Sequence, residues 1–185
     1  MNNTVKKILL IAIVLISIIV IAVYITQSKK NTPTVEAPVS QTQEKEKAPD
    51  IEITDVNGKK IKLSSLKGKG IVLNFFSTHC PPCKAELPDF QKVYNEYSDN
   101  ENVEFVCVSV IGALGEKQDD AKKYFEKNNF SLPLYLDEDQ SASNAYNVYS
   151  IPQTYIIDKD GYIVNNHLGM VDEDTLKSDI EQITK

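Results

Sequence analysis

The sequence predicts an α/β domain, a mixed central sheet flanked by helices, preceded by one transmembrane helix. Three observations carry this. Residues 71–76 and 103–110 are apolar runs, rich in β-branched and aromatic side chains and short enough to be strands buried on both faces. Around them apolar residues recur at helical spacing, so strand and helix alternate before a closing hairpin and helix. Near the start, residues 8–25 form an uncharged stretch of eighteen.

In chain order, Lys6 and Lys7 precede that stretch, which only Ser17 and Tyr24 interrupt. Its length suits a membrane-spanning helix with Tyr24 at the interface. A cleaved signal peptide is the alternative, but its apolar core would be shorter, and no small-x-small site follows Ala22. No cysteine here offers lipid attachment. Residues 1–28 are therefore read as an uncleaved signal anchor. Lys6 and Lys7 against Lys29 and Lys30 lean towards an inside N-terminus. Residues 29–49 are polar, with Pro33, Pro38 and Pro49, and cannot bury enough surface to fold. They read as a flexible linker with a reach on the order of 25 Å.

Residues 50–185 are the predicted domain. Residues 51–53 and 60–63 alternate apolar and polar around Asn57-Gly58, a hairpin signal. Residues 64–70 lead into the strand at 71–76. Leu87, Phe90, Tyr94 and Tyr97 then mark one face of a helix. After the strand at 103–110, Ala121, Tyr124 and Phe125 suggest a helix over 117–128. Residues 132–136 read as a short strand, and 141–146 as a short helix with Ser141 as its N-cap. Residues 153–158 and 162–164 flank the Asp160-Gly161 turn of a second hairpin. Asp172 caps a last helix lined by Leu176, Ile180 and Ile183.

The chemistry lies where the first long strand meets its helix. Cys80-Pro81-Pro82-Cys83 occupies that join, and proline is tolerated in a first turn because the N–H groups there have no intrahelical partner. A thiolate is favoured at a helix N-terminus, so Cys80 is expected to be the exposed, activated sulfur. Cys83, one turn on, is close enough to form a disulfide with it. Zinc ligands share this spacing, but no second Cys pair or His-x-x-x-His completes a four-ligand site. Pro81 and Pro82 delete two N–H donors, which stabilises the thiolate less, favours the disulfide and suits a reductant. Cys107, within a central strand, reads as a buried inert thiol. His167 reads as a surface residue.

Charge excludes a class of partner. From Pro49 on, 14 lysines face 23 carboxylates, a net charge of −9, and the chain has no arginine. Such a domain is a poor nucleic-acid binder.

Taken together, Ser65-Leu66-Lys67-Gly68-Lys69, the segment from Phe75 to Cys83, Glu86-Leu87-Pro88, Ile151-Pro152 and Asp158-Lys159-Asp160-Gly161 carry a resemblance. Residues 48–185 resemble the membrane-anchored, thioredoxin-like thiol–disulfide oxidoreductases of the TlpA/ResA kind. The resemblance implies a thioredoxin-like fold with an N-terminal hairpin and a strand-and-helix insertion between Val110 and Ile151. It implies a cis-proline at Pro152 opposite a redox-active Cys80–Cys83 pair, with Ile151 offering extended backbone to a substrate. It implies that Glu86 assists proton transfer, although by position alone Glu86 could be a solvated carboxylate. It implies disulfide-containing protein substrates, for example in cytochrome c maturation or among envelope or spore proteins. A membrane electron donor would re-reduce the pair, and no cofactor is required. A disulfide-handling domain is useful outside the cytoplasmic membrane, which agrees with the predicted orientation.

His79 departs from the family, which usually has Trp there. Its ring either raises the thiolate fraction of Cys80 when protonated or merely covers the motif. Two other functions compete. His79, Cys80 and Cys83 could hold a soft metal such as Cu(I), as in thioredoxin-fold metallochaperones. Peroxide reduction ranks last, because peroxidases on this fold commonly hold the peroxide with an arginine. An oxidase would be the same machine at another potential.

Overall fold

The computed structural model describes residue 2, residues 15–23 and residues 46–185. The chain divides into two compact units, Met1–Gln43 and Glu44–Lys185. In the first, residues 15–23 are helical. Among the described residues no helix is long and apolar enough to cross a membrane, and half of the predicted span, residues 8–14 and 24–25, lies outside them.

The second unit is built on an eight-stranded mixed sheet. Its strands are β1 (Glu46–Lys47), β2 (Glu52–Asp55), β3 (Lys60–Lys62), β4 (Gly70–Phe76), β5 (Val103–Val110), β6 (Leu134–Asp137), β7 (Gln153–Ile157) and β8 (Tyr162–Leu168). They lie in the order β1-β8-β7-β4-β5-β6-β2-β3. The pairs β4–β5 and β5–β6 are parallel and the remaining pairs are antiparallel. Helices α1 (Pro81–Tyr97), α2 (Gln118–Asn128), α3 (Ser141–Ala145) and α4 (Glu173–Ile183) complete the unit.

All seven residues of β4 are buried, as its continuous apolar run predicts. Alternation along it separates two cores. Val72 and Phe76 join Leu87, Phe90 and Val93 of α1 and Leu176, Ile180 and Ile183 of α4. Ile71, Leu73 and Phe75 join Ile53, Val106, Val108, Tyr146, Tyr155 and Ile157 on the other face. Each fully buried side chain of this size contributes about 2–3 kcal/mol. Asn74 lies between Leu73 and Phe75, so its side chain falls on the α1 face. Gly70 is required by packing. A Cβ there would lie 2.7 Å from the Ile183 side chain.

Both hairpins form as predicted, β2–β3 around Asn57-Gly58 and β7–β8 around Asp160-Gly161. The insertion between Val110 and Ile151 supplies α2, β6 and α3, and β6 bridges β5 to β2. Asp172 caps α4, accepting the Thr175 N–H at 2.8 Å.

Two expectations need correction. The fold begins before residue 50, because Glu46 and Lys47 pair with β8 and the Ala48 N–H donates to the Gly161 carbonyl. Backbone pairing at a sheet edge needs no apolar side chain, so composition missed it. The N-cap of α3 is Gln140, not Ser141. The buried Asp137 carboxylate instead accepts the N–H groups of Ala142 and Ser143, at 3.0 and 2.8 Å.

Candidate active site

Strand β4 ends at Phe76, and Ser77-Thr78-His79 turn the chain into α1. Cys80 is the N-cap, with extended backbone, and Pro81 and Pro82 fill the first two helical positions. Neither proline can donate, so the first free helical N–H belongs to Cys83. It donates to Cys80 Sγ at 3.4 Å. The thiol of Cys80 faces the Ile151 carbonyl at 3.6 Å, and the Ile151–Pro152 peptide is cis, as the resemblance implies. Cys80, Cys83, Ile151 and Pro152 thus meet at one point. No disulfide joins the cysteines.

The sulfur of Cys80 is less open than expected. The residue is 4% exposed and belongs to the apolar cluster that holds Cys83, Phe76 and Val171. Position at a helix start predicted an exposed atom, but packing against Ile151 covers it. Only a narrow strip of surface remains for attack. Cys83 is fully buried, and burial pushes its thiol far above the ordinary range, helped by the neighbouring Cys80 and the charge of Glu86. Cys107 is buried in β5, as predicted, and its thiol is also pushed up by burial.

Glu86 is not a surface carboxylate. It is fully buried beneath the cysteine loop. Asn74 Nδ2 donates to Oε1 at 2.9 Å, and the Val171 N–H donates to Oε2 at 3.2 Å. Burial raises its pKa to about 7 from 4.5, and those two hydrogen bonds oppose the rise. Glu86 can therefore exchange a proton near neutrality. Asn74 is itself braced by Thr154, whose Oγ1 accepts from the same amide at 3.0 Å.

On the other side of the loop lies Glu116, which no motif singles out. It is 2% exposed, and its carboxylate accepts from Ser77 Oγ, Thr78 N–H, Thr78 Oγ1 and Ser109 Oγ at 2.8–3.1 Å. Ser77 Oγ in turn accepts the His79 N–H at 3.0 Å. Glu116 ties the loop after β5 to the loop that carries Cys80.

His79 is exposed, with Nδ1 on the Leu114 carbonyl at 3.1 Å and Nε2 3.4 Å from Asp120 Oδ2. Among the described residues it groups with Glu116 and Asp120, their ligand atoms within 4.8 Å of one another, rather than with the two thiols. The Glu116 oxygens are already engaged, so this set is a poor metal cage. The other histidine also departs from expectation. His167 is half-buried, its Nε2 2.6 Å from Oδ2 of the buried Asp179 on α4. Twelve residues separate the pair in sequence, too far for local pattern to reveal it.

A family model described as AhpC/TSA matches residues 45–166. The chain belongs to that family. It is 34% identical over 138 residues to the thiol-disulfide oxidoreductase ResA of Bacillus thuringiensis (strain Al Hakam), covering 74% of this chain and 76% of that one. It is 36% identical over 126 residues to ResA of Bacillus subtilis (strain 168), covering 68% of each. Among solved structures, StoA from Bacillus subtilis superposes with a TM-score of 0.63 at 25% identity, covering 71% of this chain and 96% of that one. The fold is thioredoxin-like. The protein is a thiol–disulfide oxidoreductase of the ResA type, which agrees with the resemblance read from the motifs.

Proposed function

We propose that this oxidoreductase is an extracytoplasmic, membrane-anchored reductase of protein disulfides. The observation that carries the reading is Cys80 Sγ, held between the Cys83 N–H and the Ile151 carbonyl above the buried Glu86. A protein substrate is favoured by the surface around that sulfur. Six large apolar side chains are exposed among the described residues of the second unit, and four of them lie on segments tied to the site, one at the end of β8 and three beyond regular strands. Leu114 belongs to the loop bound to His79, and Tyr149 precedes Ile151 by two residues. Leu168 and Met170 flank Gly169, whose N–H donates to the Pro152 carbonyl. Exposed apolar groups gathered in one place favour macromolecular contact.

The substrate segment lies extended beside Ile151 and Pro152, against His79. The Cys80 thiolate attacks one sulfur of its disulfide. A mixed disulfide forms, and the other substrate sulfur leaves and takes a proton. Cys83 gives its proton to Glu86 and attacks Cys80 Sγ. The mixed disulfide breaks, the Cys80–Cys83 disulfide forms, and the second substrate sulfur leaves as a thiol. Two electrons have passed to the substrate, and a membrane dithiol donor restores the pair. Candidate substrates are apocytochrome c or envelope and spore proteins. The uncharged run at residues 8–25 supports the anchor, and the chemistry supports an outward-facing domain.

Cys83→Ser keeps the attacking sulfur and removes the resolving one. The full chain carrying it should accumulate mixed disulfides with extracytoplasmic proteins, and Cys80→Ser should accumulate none. The wild-type pair should have a midpoint potential below about −200 mV, in the range of reducing members of this fold. A potential near −120 mV, as in a strong oxidant, would reverse the proposed direction.

A further inference from the structure

A second recognition element adjoins the cysteine loop. A shallow, open hollow of about 390 Å³ begins at Thr78 and His79 and is lined further by Lys84, Asp120, Lys123, Tyr124 and Lys127. Three lysines thus converge beside Cys80 in a domain where carboxylates outnumber lysines 23 to 14. Lys123 is shared with Asp119 at 3.7 Å. Lys84 and Lys127, like Lys59, Lys62, Lys67 and Lys122, form no ion pair among the described residues, so both are available to a ligand, whereas Lys60, Lys69, Lys92 and Lys177 are engaged. Asp120, the one carboxylate in the lining, accepts the Lys117 N–H and faces His79, so its charge is drawn to one edge.

Lys84 is the informative member. Its N–H closes the first turn of α1 on the Cys80 carbonyl. That is the positive end of the helix, where a cation is disfavoured, and the first turn contains no acidic residue to balance it. Stability alone would place a carboxylate there. An unbalanced cation four residues from the attacking sulfur serves a ligand better than it serves the helix.

We infer that this hollow receives an acidic side chain of the substrate protein, so the enzyme favours disulfides flanked by aspartate or glutamate. The inference rests on the reading of Cys80 as the attacking sulfur and names the class of substrate presented to it. A carboxylate on the α2 side of the scissile disulfide would meet Lys84 and Lys127, with Tyr124 lining the same hollow. The apolar side chains at Leu114 and Tyr149 lie on the other loops and would meet the rest of the segment.

The test uses three disulfide peptides of equal length that differ only at the residues flanking one cysteine, which are Glu, Gln or Lys. The full chain should reduce the Glu peptide about fivefold faster in kcat/KM than the Gln peptide, and the Lys peptide slowest, at low ionic strength. The Glu-to-Gln ratio should approach one in 0.5 M salt and in Lys84→Gln/Lys127→Gln. It should invert in Lys84→Glu/Lys127→Glu. Equal rates for the three peptides, or a preference that survives both double variants, would overturn the inference. Failure to reduce any peptide would remove the reductase reading beneath it, a different and distinguishable result.

Discussion

Two buried carboxylates flank the Cys80 loop, and their surroundings give them opposite work. Glu116 has four donor groups gathered around it, from Ser77, Thr78 and Ser109. Glu86 has two, from Asn74 and Val171. Both are essentially sealed from water. The richly bonded group is a fastener, because every oxygen already holds a neighbour in place. The sparsely bonded group is held near the point where it gains or loses a proton, its pKa at about 7. Equal burial thus goes with different bonding, dense around Glu116 and sparse around Glu86.

That contrast can be broken from either side. The largest effect is expected at Glu116. Glu116→Leu leaves the donors of Thr78 and Ser109 without this acceptor and Ser77 with only the Ala113 carbonyl at 3.4 Å, and should destabilise the fold by about 4 kcal/mol. Urea unfolding measures it, and a loss under 1 kcal/mol would mean that the loop is held by something else.

Glu86 should instead reveal itself through pH. Its folded pKa of about 7 lies above the 4.5 of a free side chain, so the folded protein binds this proton more tightly than the unfolded chain. Its contribution is fully present below about pH 4.5, fades as pH rises, and is lost above about pH 7. The span corresponds to about 3 kcal/mol. Comparing denaturation of the wild type and Glu86→Gln at pH 4.5 and 8 isolates it. The difference between the two proteins should change with pH in that direction, and a constant difference would contradict the assignment.

A smaller effect is expected at Asn74. Asn74→Leu removes one of the two donors on Glu86, so the carboxyl pKa should rise further, by about one unit or about 1.4 kcal/mol. The pH profile of substrate reduction should move upward with it. An unmoved profile would show that the Asn74 amide does not tune this proton.

Much of the fold was legible because local rules decide it. Strand β4 is apolar throughout, Asn57-Gly58 and Asp160-Gly161 allow tight turns, and Asp172 sits where a helix needs an acceptor. The Cys-Pro-Pro-Cys join was legible for the same reason. What escaped depends on approach of distant segments. Glu86 could not be placed inside or outside without knowing that Val171, 85 residues away, would meet it. Glu116 stands in a polar stretch and gains its partners only when the chain after β5 folds back on Ser77. The cover over Cys80 comes from Ile151, 71 residues on. His167 finds Asp179 only through the packing of α4 on the sheet.

Leu114 stands in an unusual backbone conformation. Its φ of 52° lies in the left-handed region, between Gly112 and Gly115, which share that hand. A residue with a Cβ gives up about 1–2 kcal/mol to stand there. The twist lets one residue face two ways, its carbonyl inward on the His79 ring and its side chain outward, 64% exposed. The outward group is thus uncoupled from the inward one. Under the proposed function, replacing it would alter what the enzyme grips while the imidazole keeps its anchor, so new clients could be acquired at this position without rebuilding the machinery behind it.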